Sequence, residues 1–153
     1  MYLTKNISLH TTQTFQIINL TQQVHDFLHE IQAKDWLINI FTRHTTAILR
    51  INEAEEGFWK DLQIRADKNI PLDTFYHHDD LDNRDPSTMV SAKEENLNGF
   101  AHLRAMVLWN FSETIPVQWW EMMLGRRQKI LFIEMDCARP REIILSFSGE
   151  IGE

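Results

Sequence analysis

The stretch KILFIEMDCARPREIILSFS, residues 129–148, carries two apolar runs, Lys129–Asp136 and Glu142–Ser148, on either side of Arg139-Pro140-Arg141. Both runs are rich in isoleucine, leucine and phenylalanine, and a proline between them breaks any continuing strand, so the spacing predicts two strands joined by a turn. The connection is far too short for a crossover helix, which makes the pair antiparallel. Moving back along the chain, Glu113–Val117 is a third strand candidate, with a turn signalled at Gly125. Phe100–Leu108 predicts a short helix. Trp36–Phe41 and Thr45–Ile51 predict two further strands, or one bent strand, around Thr42-Arg43-His44, and Tyr2–Ile18 opens the chain as strand.

Two longer helices complete the pattern. Leu20, Val24, Phe27, Leu28 and Ile31 fall on one helical face, with Asn19 as N-cap and Gln22 in capping-box position. A second helix is predicted from about Glu53, with Ala54, Phe58 and Leu62 on its apolar face, to a stop before Pro71. Six or more strands with two or three helices, not in alternating order, give an α+β fold. No repeat and no Pro/Gly/Ser linker divides residues 1–153, so a single domain is expected.

Composition narrows the class. The 153 residues are 43% hydrophobic and 24% charged, the balance of a chain that folds around a core rather than a disordered one. The net charge of −7 and the lack of a dense Lys/Arg run argue against a nucleic-acid partner. No apolar run approaches the roughly 20 residues of a membrane span, and the first ten residues lack a signal-peptide core. A soluble, cytoplasmic protein without a membrane partner is expected. Cys137 is the one cysteine, which excludes a disulfide framework within the chain; beside Ile130–Met135 it reads as a small buried hydrophobe.

From Asp73 to Asn98 apolar periodicity disappears, and a long loop of this kind is the first place to look for chemistry. It holds Asp79, Asp80, Asp82 and Asp85, hard oxygen ligands suited to Mg²⁺ or Ca²⁺, though their spacing matches no EF-hand and a solvated acidic loop explains them equally. His44 lies between two strands, His78 opens the acidic loop and His102 begins a short helix. Three neutral imidazoles are able to hold zinc or a similar ion; scattered hydrogen-bonded histidines are the plainer alternative. His25 and His29, four apart, read as surface residues. Glu53 is either a base or a favourable charge at a helix start. Arg139 and Arg141 are candidates for a phosphate clamp or ordinary turn residues. Neither a phosphate-binding Gly-rich loop nor a nucleophile elbow is present.

In order along the chain stand His44-Thr45-Thr46-Ala47, Ile51-Asn52-Glu53, Asp61, Tyr76-x-His78-Asp79-Asp80 with Asp82-Asn83, and Asn98-Gly99-Phe100-Ala101-His102-Leu103-Arg104-Ala105. Ile115-Pro116-Val117, Leu124-Gly125-x-x-Gln128-x-Ile130, Glu134-x-Asp136 and Arg139-Pro140-Arg141 follow. No single piece is specific, but the ordered set resembles the YjbQ-type family of secondary thiamine-phosphate synthase enzymes. The resemblance implies β-sandwich-like, mixed or antiparallel sheets, a homotrimer, and a divalent metal, zinc or magnesium, with His44, His78 and His102 as ligands. It further implies Glu53, Asp79 and Asn83 as catalytic or substrate-contacting residues. Arg104, Arg139 and Arg141 are then the groups that hold a phosphorylated small-molecule substrate. Three departures stand out: Arg127 where a tryptophan is usual, Trp109 where a glycine is, and the turn Gln118-Trp119-Trp120-Glu121.

Three activities fit these residues. The first is condensation of hydroxymethylpyrimidine diphosphate with thiazole phosphate. The second is metal-dependent hydrolysis of a small phosphorylated substrate. The third is a non-catalytic trimer stabilised by metal.

Overall fold

A computed structural model describes residues 1–91, 94–108 and 110–152. Its elements are β1 (Tyr2–His10), β2 (Ile17–Asn19), α1 (Thr21–Glu30), β3 (Ala33–Thr42), β4 (Ala47–Glu53), α2 (Glu56–Asn69), α3 (Gly99–Leu108), β5 (Ser112–Gln118), β6 (Glu121–Met122), β7 (Gln128–Glu134) and β8 (Pro140–Ile151). Two 3-10 turns, His77–Asp79 and Pro86–Thr88, punctuate the long loop. The strands form two antiparallel sheets, β1-β8-β3-β5-β6 and β2-β7-β4, which confirms the α+β architecture.

The two C-terminal strands do not pair with each other, contrary to the antiparallel pair expected: they join different sheets, β7 in the smaller and β8 in the larger. Their residue patterns show why. Along β8, Ile143, Leu145 and Phe147 are buried and alternate with half-buried or exposed neighbours, the period of a strand with one face in the core. Along β7, residues Ile130 to Glu134 are all buried. Ile130 and Phe132 join the core between the sheets with Ile38, Leu49 and Leu145. Leu131 and Ile133 point the other way, into a second cluster with Ile48, Ala101 and Ala105 beneath α3. A run buried on both faces loses its alternation.

Sequence boundaries shift in places. The opening stretch is two strands, broken at a turn where Phe15 adopts φ 56°. Helix α1 packs Val24, Phe27 and Leu28 as expected, but its N-cap is Leu20, and Asn19 instead accepts the Thr21 N–H at 3.0 Å. Helix α2 starts three residues later than read, at Glu56, because Glu55 caps it through the N–H groups of Gly57 and Phe58. Phe58 and Leu62 are only partly covered, and Ala66 is the buried residue of this helix. Cys137 is exposed: it belongs to the turn before Arg139, not to the apolar run.

The β5–β6 hairpin turns through Trp119 and Trp120, with φ of 50° and 56°. A two-residue hairpin loop requires positive φ at both positions, which Asn-Gly supplies most cheaply. Indole-bearing residues there cost about 1–2 kcal/mol each. Their N–H groups donate to Lys34 O and Ala33 O, which ties the hairpin to the start of β3. Trp109 lies outside the described residues.

Arg104 corrects an expectation. It is fully buried, and it faces α2 rather than a substrate. Nε and Nη2 donate to Ile70 O at 2.9 and 2.7 Å, and Nη2 also meets Asp67 Oδ1 at 2.7 Å, so the guanidinium caps the end of α2. Nη1 has no hydrogen-bond partner among the described residues. Arg104→Ala leaves Ile70 O without its donor and opens a cavity, with an expected loss of about 3–4 kcal/mol. Calorimetry should show the melting temperature falling by roughly 10 °C; a loss below about 1 kcal/mol overturns the capping role.

Candidate functional site

One end of the two-sheet stack, where β3 hands over to β4 and β7 to β8, opens on a cavity of about 350 Å³. His44, His78 and His102 all line it, and so do Arg43, Arg84, Arg139 and Arg141. The sequence separates these residues by up to 98 positions, from Arg43 to Arg141; the topology gathers them. Glu95 is the only carboxylate among the described lining residues.

His44 lies in the four-residue connection between β3 and β4. Its Nε2 accepts the backbone N–H of Glu142 at 3.0 Å, which places the proton of the neutral ring on Nδ1. Burial, with Arg141 beside it, holds its pKa below the usual histidine value. His78 sits in the first 3-10 turn and His102 early in α3, their ring centroids 4.5 Å apart. Asp79 fixes this pairing, since its Oδ1 accepts the Gly99 N–H at 2.9 Å and joins the turn to the start of α3. Gly99 permits the approach: a Cβ there would lie 2.6 Å from the Tyr76 Cβ and 3.1 Å from the His78 Cβ. Burial, and next the His78 ring, lower the pKa of His102.

A charge network underlies the cavity, with Glu134, Asp136 and Arg141 buried at its centre. Arg141 Nε and Nη2 grip both oxygens of Glu134 at 2.6 and 2.5 Å, and Nη2 also reaches Thr46 Oγ1 at 3.0 Å. Arg139 pairs with Asp136 at 2.6 Å, and Asp136 in turn holds Asn98 Nδ2 at 2.6 Å, next to α3. Arg43 pairs with Glu142 at 2.5 Å. Arg84 lies across the mouth, its Nη1 3.4 Å from His78 Nε2.

Other expected residues fall elsewhere. Glu53 ends β4, half-buried and paired with Arg127 at 3.3 Å, beside a different depression formed with Gly125 and Gln128. Six strand residues separate it from Ala47, or roughly 20 Å. Asn83 donates to both oxygens of Asp80 and closes its own turn. Conversely, Arg43, Arg84, Glu95 and Thr46 line the cavity without having been singled out for it. Only the irregularity of the long loop pointed toward Arg84 and Glu95.

The metal donor set is incomplete as arranged. Among the described residues no group of three or more His, Cys, Asp or Glu side chains is placed to hold an ion. His44 Nε2 is occupied by a backbone N–H, and His78 Nε2 faces a guanidinium. The three histidines share a cavity without forming a ligand cluster for zinc or magnesium among the described residues.

A family model described as UPF0047 protein YjbQ-like matches residues 5–150. The chain is 34% identical over 139 residues to a UPF0047 protein of Archaeoglobus fulgidus, covering 91% of this chain and 96% of that one. It is 31% identical over 147 residues to a UPF0047 protein of Methanothermobacter thermautotrophicus, covering 96% and 92%. Among solved structures, a hypothetical protein of Aeropyrum pernix superposes with a TM-score of 0.82 at 27% identity, over 97% of this chain and 99% of that one. A YjbQ/UPF0047 protein of Clostridium acetobutylicum gives 0.76 at 27%, over 92% and 97%. No helix among the described residues is long and apolar enough to cross a membrane.

The lowered pKa values of His44 and His102 link site and stability. Below the ordinary value of 6.5 the unfolded chain takes up protons that the native chain resists, so stability rises with pH there. Stability is expected to be full above about pH 6.5 and to decline as pH falls through the folded values. Urea denaturation at several pH values, with imidazole titration by NMR, checks this; histidines titrating above 6.5 would contradict it.

Proposed function

The chain belongs to the UPF0047 YjbQ-like family, and we propose that it is an enzyme acting on a small phosphorylated substrate held in the histidine-lined cavity. One observation carries this reading: four guanidiniums and three histidines surround a single cavity in a chain of net charge −7. Cations gathered against the overall charge of a protein focus its field on that spot and draw anions to it. Guanidinium forks suit phosphate oxygens, and those of Arg139 and Arg141 are already fixed by Asp136 and Glu134. Fixed donors need no reorganisation as charge develops on a leaving phosphate or diphosphate. His44 and His102, whose pKa values burial holds below the ordinary 6.5, are neutral near pH 7 and able to accept a proton.

Within this class the synthase reading is the more specific. In it, a ring nitrogen of thiazole phosphate attacks the methylene of hydroxymethylpyrimidine diphosphate. The C–N bond forms as the C–O bond breaks, and the electron pair leaves with pyrophosphate. Arg139, Arg141 and Arg84 are the groups to hold the departing charge, and Asp79 positions His78 against His102. Glu53 and Asn83 have no part in it within one chain, given where they lie.

The test combines both substrates with purified protein and follows pyrophosphate release and thiamine phosphate formation. Product that requires both substrates supports the synthase; phosphate released without the thiazole supports a hydrolase. His102→Ala and His78→Ala are expected to lower the rate by roughly 10²–10⁴. No turnover of any phosphorylated substrate, with no anion bound, removes the enzyme reading.

We also propose that the protein works as a homotrimer. Leu103, Met106 and Val107 form an exposed apolar stripe on α3, a surface that assembly would cover. Sedimentation velocity should give three times the 18.2 kDa chain mass, and Met106→Lys with Val107→Lys should shift it to monomer; a monomeric wild type overturns this.

A further inference from the structure

Of the four cavity guanidiniums, Arg84 has the longest carboxylate pair, 3.4 Å to Glu95 against 2.5 Å for Arg43. Its Nε and Nη2 are anchored by Thr88, to Oγ1 at 3.2 Å and to the carbonyl at 3.0 Å. Its Nη1 is shared among His78 Nε2, His78 O and Glu95 Oε2, each at 3.4 Å, the long limit of a hydrogen bond. The pairs of Arg139 and Arg141 are drawn in to 2.6 and 2.5 Å. The carboxylates that hold Arg43, Arg139 and Arg141 do not line the cavity, whereas Glu95 does. Glu95 is itself tethered by one oxygen, since Oε1 accepts the Val90 N–H at 2.8 Å, and its other oxygen leans on Arg84. Both side chains are only 16% exposed.

We propose that Glu95 is an internal stand-in for the anionic group of the substrate: it occupies the cavity-facing N–H groups of Arg84 at rest and yields them to an incoming phosphate. This rests on the cavity being an anion site, and it adds a threshold. A ligand must displace a carboxylate that is already in place, which lowers the affinity of every anion by the same factor. A monocarboxylate brings no more charge to Arg84 than Glu95 does. A phosphate dianion or a diphosphate brings more charge and more oxygens, so it passes that threshold at a lower concentration. The pair also satisfies Arg84 between turnovers, when an unpaired guanidinium at the mouth would repel the other three. No covalent bond changes in the exchange.

Calorimetric titration of inorganic pyrophosphate and of acetate into wild type, Glu95→Gln, Arg84→Gln and Arg84→Lys tests this. Glu95→Gln keeps the acceptor for Val90 N–H and removes only the charge. It should bind pyrophosphate roughly five- to tenfold more tightly, because affinity rises by the inverse of the fraction of Arg84 that is free. Acetate should gain by about the same factor, since the same pair must open for either ligand. Both Arg84 variants should bind pyrophosphate more weakly, with Arg84→Lys the milder. Glu94→Gln, which removes the same charge from an exposed neighbour, should change affinity by less than about twofold.

Unchanged or weaker binding by Glu95→Gln, where wild type binds pyrophosphate, makes the pair a purely structural contact and overturns this inference alone. Failure of wild type and Glu95→Gln alike to bind pyrophosphate overturns the phosphate-cavity reading as well. Thermal melts of each variant separate lost binding from lost fold.

Discussion

Glu134 has no solvent exposure, and four donors converge on its carboxylate: Arg141 Nε and Nη2, Thr11 Oγ1 and the backbone N–H of Asp136. A buried carboxylate must be satisfied in this way, because leaving it without its cation typically costs about 3–5 kcal/mol. The pair does more than neutralise itself. Glu134 closes β7 in the smaller sheet and Arg141 opens β8 in the larger, so it joins the two sheets at the end where the cavity lies. Thr46, just before β4, and Thr11, just after β1, are held by the same group of bonds. The position of every cavity wall is referred to this one ion pair.

The remaining walls follow. Asp136, two residues past Glu134, carries Asn98 and hence the start of α3, and Asp79 and Gly99 then bring His78 up to His102. Arg43, Arg139 and Arg141 are paired with carboxylates of their own at 2.5, 2.6 and 2.5 Å, whereas Arg84 meets its carboxylate at 3.4 Å. This division explains how an acidic protein tolerates four guanidiniums so close together. The compensating carboxylates of three of them lie behind the lining, where they stabilise without competing for a ligand.

Much of this was legible in the sequence wherever a residue's position follows from a local period. The α1 stripe and the alternation of β8 are of that kind. For the three histidines the ordered set of flanking motifs points to a shared cavity, and nothing in their spacing requires one. Arg104 shows what was overlooked: two helical residues after His102, it is turned by roughly 200° and so faces away from the cavity. Glu53 could have been excluded by strand length in the same way. Arg84 and Glu95 were beyond local reading, since their pairing depends on the course of an irregular loop with no period to follow. Cys137 was misassigned by its apolar neighbours, although the turn residues after it already marked the end of the strand.

The pairing of β1 with β8 carries a consequence for how the molecule is made. The first strand of this chain has one neighbour in its sheet, and that neighbour is the last strand, with His10 opposite Pro140. During synthesis the start of β8 is made some 130 residues after the end of β1, an interval on the order of 10 s at about 5–20 residues per second. Through that interval both of its edges are open, and neither Arg139 nor Arg141 exists to complete the cavity. The sheet and the site therefore close in the same late step, and a chain that stalls before residue 140 has neither.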